Sequence, residues 1–437
     1  MLNSDIKKIL SIATPAALNQ FLDMLQVLVD MIFIGRISPI AVASVGLSMN
    51  LVGILYSIIG IFSVGVNALV ARFFGAKGFG NISKVITTAI FFSFLVSIPI
   101  TIIVFFFSYD FFELFGGNKD IAEVGSSYMK ILNISIPFLF IGAVLVSTSN
   151  GFGDTKTPLF IGIIGNILNT FLDYVLIFGK FGFPELGVKG AAIATTTAYI
   201  FEVIIYIFLI LFKKIFTLSK EIELSIAKRL FKIGIPAGIE RFIIHGSFMV
   251  FIWIISMYGT YVLAGYQIGL RVEGLAFMPG FGFSIAAMTL VGQSLGAGKP
   301  DEAYKYGIKT SLIAGFLMQF IGILMFFYPE FFVSIFTNDE KTINEASLYL
   351  QVVAVSQFPL AVDFVLSGAL RGAGATKLSL MVNTGSLWVF RLIPSIIITL
   401  YFKDIILVYF IMIVETYLKG FFIWYIFKKG KWKEVRV

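Results

Sequence analysis

The sequence has no cysteine and one histidine in 437 residues, and only 13% of it is charged. Without cysteine there is neither a disulfide framework nor a thiolate metal site. The shortage of charge excludes more. A soluble domain carries about 25% Asp, Glu, Lys and Arg, and half that share cannot wet the surface of so long a chain. HExxH and Walker sequences are missing as well, so no zinc protease or attached ATPase is expected. The chain reads as a non-enzyme. What it has in abundance is apolar: 58% hydrophobic residues, 49 phenylalanines and a mean hydropathy of +0.95. Lipid is the solvent that suits this composition. The formal charge of +8 then belongs to loops rather than to a nucleic-acid surface.

A membrane helix needs about 20 apolar residues. Twelve such runs are legible: residues 8–34, 40–71, 84–108, 125–151, 157–179, 189–213, 229–256, 261–293, 306–328, 343–370, 377–400 and 405–427. The expected fold class is an all-α polytopic membrane protein. Lys and Arg concentrate in alternate connections, from Lys7 and Lys8 to the tail KKGKWKEVR, so that 22 of the 33 basic residues fall on one side. By the positive-inside rule that side, with both termini, is cytoplasmic. No cleavable signal peptide is evident, because the first apolar run is too long for one.

The second half repeats the first at a constant offset of 221 residues. Pro15 falls on Pro236, LVARFFGAK (Leu69–Lys77) on LVGQSLGAG (Leu290–Gly298), and GFGDTK (Gly151–Lys156) on GAGATK (Gly372–Lys377). Six helices per half make both halves enter from the same side, with the pseudo-twofold axis along the membrane normal. The expected domains are an amino-terminal lobe (1–213), a linker (214–232) and a carboxy-terminal lobe (233–437). The linker stretch TLSKEIELSIAKRLFK suits a short amphipathic surface helix.

The run GNILNTFLDYVLIFG places Asn169 and Asp173 four residues apart, on one helical face. Intramembrane acids are rare, face cavities and mark ion paths. Asp173 lies seven residues before Lys180, Asp30 six before Arg36, and Thr195 six after Lys189. Each is therefore about 10 Å inside the same face of the bilayer. Such a layer of oxygen ligands suits Na⁺, and a close pair of carboxyls shares a proton equally well. At the repeat offset Asp30 becomes Phe251, Asn169 Phe390 and Asp173 Pro394, so one half keeps a polar site that the other lacks. Two further patterns, G-x-G-D at Gly151–Asp154 and Y-D at Tyr109–Asp110, belong to intramembrane aspartyl proteases. The topology sets those aspartates at opposite bilayer faces, where they share no water.

On Pro15 with Asp30, Asn169-x-x-x-Asp173, the two loop motifs, RVEGLAFMPG (Arg271–Gly280) and LRGAGATK (Leu370–Lys377), the chain resembles the MATE (multidrug and toxic compound extrusion) transporters, DinF-like prokaryotic branch. The resemblance implies a multidrug efflux protein of the prokaryotic inner membrane. It would act as an H⁺ or Na⁺/drug antiporter, exporting amphipathic, mainly cationic compounds (xenobiotics) by alternating access. It assigns the coupling-ion site to Asp30, Asn169, Asp173 and a span-six threonine, taken as Thr195 rather than Thr196, and makes Pro15 the helix-one bend. No cofactor is implied beyond a coupling Na⁺, and no other metal. The partners implied are small molecules and membrane lipids, with no nucleic acid, and the chain is expected to be a monomer. Candidate second-lobe residues are Glu273, His245 and Asp363. Arg391, Glu415 and Lys419 lie at similar depth, and Glu415 and Lys419 are i,i+4 partners. A flippase for lipids or lipid-linked precursors is the alternative reading.

Overall fold

The computed structural model describes residues 2–116 and 118–435. Arg436 of the basic tail lies outside the described residues. Long apolar runs surrounded by hydrocarbon must satisfy every backbone N–H and C=O internally, which makes helices of them. The first half comprises α1 (Leu2–Gly35), α2 (Pro39–Gly75), α3 (Phe79–Gly116), α4 (Lys119–Leu132), α5 (Ile136–Phe152), α6 (Lys156–Phe178) and α7 (Val188–Lys213). The second comprises α8 (Leu224–Ser256), α9 (Thr260–Gly296), α10 (Pro300–Phe327), α11 (Pro329–Val333), α12 (Glu340–Ala354), α13 (Gln357–Gly372), α14 (Thr376–Ser386), α15 (Ile393–Tyr401) and α16 (Ile405–Lys429). A single 3₁₀ turn joins α4 to α5, and a π-helical stretch, Leu387–Leu392, joins α14 to α15.

Local chemistry sets the ends. Asn118, Asp339 and Asp404 cap α4, α12 and α16 with side-chain acceptors, and left-handed Gly153, Gly179 and Gly430 close α5, α6 and α16. The Thr342 hydroxyl and amide hold the capping Asp339 carboxyl below the usual carboxylate range. Eleven spans are long and apolar enough to cross a membrane, α4–α5 and α14–α15 each counting as one. A twelfth forms if α12 and α13, bent by 60°, are one broken span. The protein is a multi-pass, all-helical integral membrane protein with no strand among the described residues.

The linker differs from expectation. No separate amphipathic helix forms there: residues 214–223 are irregular, and the rest of the stretch is the first part of α8. The Thr87 hydroxyl binds the carbonyl and amide of Ser219, and the Glu223 amide donates to Thr88 Oγ1 at 3.1 Å. Those bonds take up backbone groups that a helix would have used. Glu221 and Glu223 also pair with Lys84, at 3.1 and 3.3 Å.

The helices divide into two compact units. One comprises Asn19–Phe73 and Gly78–Gly234; the other runs from Ile235 onward and takes in Phe74–Lys77 and the chain up to Leu18. The start of α1 thus belongs with the second half and the start of α8 with the first, unlike boundaries at 213 and 233. Close packing accounts for it. A Cβ on Gly282 would lie 2.5 Å from the Ala13 carbonyl oxygen, and a Cβ on Gly234 2.0 Å from that of Ile61. The two contacts are repeat mates, since 13 and 61 become 234 and 282 at the offset of 221. Pro15 and Pro236 sit beside the two crossover points, Leu18–Asn19 and Gly234–Ile235.

Backbone cannot yield as a flexible side chain would, so overpacking here costs about 1–3 kcal/mol or more. Gly234→Ala is expected to lower the melting temperature of the detergent-purified protein, read by size-exclusion chromatography after heating. Gly246→Ala, on the same helix with nothing within 4 Å, is expected to leave it unchanged.

Candidate ion-coupling site

An ionised carboxylate at bilayer depth costs at least about 2.5–3.5 kcal/mol, so the partners of each buried acid decide what it can do. In the first unit α1 carries Gln26 and Asp30 on one face, α6 carries Asn169, Thr170 and Asp173, α4 carries Tyr128, and α7 carries Thr195. Asp173 is fully buried and Asn169 is 3% exposed. The Asp30 and Asp173 side chains are within hydrogen-bonding reach of each other, a contact that needs a shared proton or an intervening cation. Among the described residues no amide, hydroxyl or cationic group donates to either oxygen of Asp173. The Gln26 amide nitrogen donates to both Asp30 Oδ1 and Asn169 Oδ1, and Thr170 Oγ1 donates to Gln26 Oε1 at 3.2 Å. Tyr128 stands beside both carboxyls and close to Thr195, whose hydroxyl donates to the Ala191 carbonyl at 3.0 Å. Thr196 turns elsewhere, donating to the Ile131 carbonyl.

Asp30, Asn169, Asp173 and Thr195 therefore share one locality. Gln26 and Tyr128, which complete it, were missed in the sequence. Gln26 was findable, being one helical turn before Asp30; nothing local marks Tyr128. Among the described residues no group of three or more His, Asp or Glu is arranged to hold a metal ion. Any ion here would rest on two carboxyls with amide and hydroxyl oxygens. About 10 Å along α1, Asp23 accepts from Asn19 at 3.4 Å. Near it lie Glu202 and a hydrogen-bonded Tyr56–Tyr199 pair. Gly165 makes room for the Glu202 carboxylate, which lies where a Cβ would point, at 2.0 Å.

The second unit treats its acids differently. Glu240, also missed in the sequence, is fully buried and accepts from Arg371 at 2.7 Å, Asn383 at 2.6 Å and Ser379 at 3.1 Å. Asp363 accepts from Lys419 at 3.3 Å and from Ser367 at 3.2 Å. Glu415 is bound by Arg391 at 2.6 Å and Lys419 at 3.6 Å. Buried Glu273, by contrast, has no paired base among the described residues and accepts from Tyr349 at 2.6 Å and Gln357 at 3.3 Å. His245 is exposed on α8, one turn from Arg241, apart from that network. Pro15 lies inside the unbroken α1. A groove of about 320 Å³, lined by residues such as Met381, Val389, Phe390 and Phe422, is apolar and lies in this second unit.

Removing one partner of a buried pair costs about 3–5 kcal/mol, because the other charge is stranded. Arg391→Leu is expected to lower the melting temperature strongly. Adding Glu415→Leu should recover part of the loss, since Lys419 and Asp363 still balance each other. No recovery in the double variant would contradict the pairing.

The MatE family model matches the chain twice, over residues 15–175 and 236–397, with starts 221 residues apart. "Probable multidrug resistance protein NorM" of Thermotoga maritima is 31% identical over 434 residues, covering 98% of this chain and 93% of that protein. "Probable multidrug resistance protein YoeA" of Bacillus subtilis is 27% identical, covering 86% and 82%. Among solved structures, an outward-facing multidrug resistance MATE family transporter of the MOP superfamily superposes with a TM-score of 0.91 at 18% identity, covering 98% and 97%. A MOP superfamily transporter from Pyrococcus furiosus, whose binding pocket is described as reversed in polarity, gives 0.92 at 18%, covering 99% and 97%. With both halves matched by the family model and a relative above 30% identity along nearly its whole length, the chain belongs to the MatE family of transporters.

Proposed function

We propose that this protein is a secondary active exporter that exchanges H⁺ or Na⁺ for amphipathic, mainly cationic compounds by alternating access. One observation carries the reading. In the second unit the buried acids Glu240, Asp363 and Glu415 are each neutralised by Arg or Lys, whereas Asp30 and Asp173 face each other with no base beside them among the described residues. Two facing carboxyls in hydrocarbon need a mobile cation between them. Gaining or losing that cation changes the charge of the site, and with it the cost of each conformation.

The ion held by Asp30 and Asp173, with Asn169, Tyr128 and Thr195 around it, would leave as the exported compound binds, and return to reset the cycle. Asp23 and Glu202 beside Tyr56 and Tyr199 form an acidic, aromatic surface of the kind that receives organic cations. The relatives' names, multidrug resistance proteins, support small-molecule export. The charge distribution supports insertion in a prokaryotic cytoplasmic membrane with both termini inside. Pro15, next to the point where α1 passes from one unit to the other, is the site proposed for a helix bend. The transporter is proposed to work as a monomer among membrane lipids, with no cofactor beyond the coupling ion.

Asp30→Asn and Asp173→Asn are expected to abolish dye export from cells without loss of membrane-inserted, monodisperse protein. Asp363→Asn, which breaks an ion pair instead, should lower stability but leave ion-driven export in place. Normal export by both Asp30→Asn and Asp173→Asn would remove the site assignment.

A further inference from the structure

Gln26 holds an unusual position for a neutral side chain. Its Nε2 lies between Asp30 Oδ1 and Asn169 Oδ1 and donates to both. Those are two oxygens of the candidate ion site, and the amide NH₂ contacts them as an incoming ion would. The hydrogen bonds fix which end of the amide faces in. With the ends exchanged, Oε1 would meet two acceptor oxygens and the bond from Thr170 Oγ1 would be lost. Among the described residues neither Asp173 oxygen receives a bond from an amide, hydroxyl or base, and Asn169 Nδ2 has no acceptor.

We infer that the Gln26 amide is a built-in stand-in for the coupling ion, bridging Asp30 and Asn169 when the ion is away and being displaced when it arrives. The inference rests on the exchange of that ion at Asp30 and Asp173. The terminal torsion of a glutamine is soft, so rotating the amide withdraws the two donor protons from the ion's oxygens. The competition sets how firmly the ion is held. A carboxylate without a competing donor would bind its cation tightly and release it slowly, and an exchanger must let go at every turn. Gln26 is thus a positioning residue for the ion site, acting on affinity and release.

The test uses the full-length protein in proteoliposomes, with export of a fluorescent organic cation measured against the concentration of whichever coupling ion drives it, H⁺ or Na⁺. Gln26→Leu and Gln26→Met, close in volume but unable to donate, are expected to lower the KM for the ion by roughly tenfold, the worth of one hydrogen bond to a charged group. The maximal rate should fall with it, as ion release slows. A merely structural role predicts the opposite, a looser site with a higher KM. An unchanged or raised KM in both variants, with Asp30→Asn inactive, overturns this inference and leaves the ion site standing. Ion-driven export by Asp30→Asn overturns the site and this inference together.

Discussion

A charge in hydrocarbon must be cancelled, either by a fixed neighbour or by something that comes and goes. The rest of the structure depends on how that constraint is met, and the two units meet it differently. In the second, Arg371, Lys419 and Arg391 stand against Glu240, Asp363 and Glu415 in ion pairs that involve α8, α13, the π-helical stretch and α16. Such pairs add little net stability over apolar packing, but they are costly to break singly, so they hold those helices in one arrangement. In the first unit Asp30 and Asp173 have no Arg or Lys partner among the described residues. The paired acids are held by fixed bases, whereas Asp30 and Asp173, like Glu273 in the second unit, have none among the described residues.

The repeat supplies the frame for this difference. Its halves share close contacts at equivalent positions, Ala13 with Gly282 and Gly234 with Ile61, and each half lends the start of its first helix to the other unit. The repeat also survives in polar form. Glu240 donor-bound to Asn383 corresponds to Asn19 beside Gly162, where a Cβ would lie 2.8 Å from the Asn19 Oδ1. A place filled by an ion-paired acid in one unit is filled by a neutral amide in the other.

Much of this was legible in the sequence, for physical reasons. Span positions follow from apolar length, and each of the twelve runs lies on a helix or helix pair of the structure. Asp30, Asn169, Asp173 and Thr195 could be grouped because depth along a helix is a matter of counting residues from a charged end. What was not legible depends on packing between helices. Tyr128 reaches the carboxyls from α4 and Glu240 finds Arg371 some 131 residues on; no local pattern announces either. Asp363 read as a candidate for function, and only its contact with Lys419 marks it as one of a pair. The linker was misread because its amphipathic pattern is real, but its first part is drawn out by Thr87 and Thr88 and its last part is absorbed into α8.

The most direct test of the central claim is export of a fluorescent organic cation from proteoliposomes containing the wild-type protein, driven separately by an imposed pH gradient and an imposed Na⁺ gradient. The account predicts that at least one gradient drives export against the dye's own concentration, and that the effective gradient names the ion held between Asp30 and Asp173. No response to either, from correctly folded protein, would contradict ion-coupled export and favour a flippase for lipids or lipid-linked precursors.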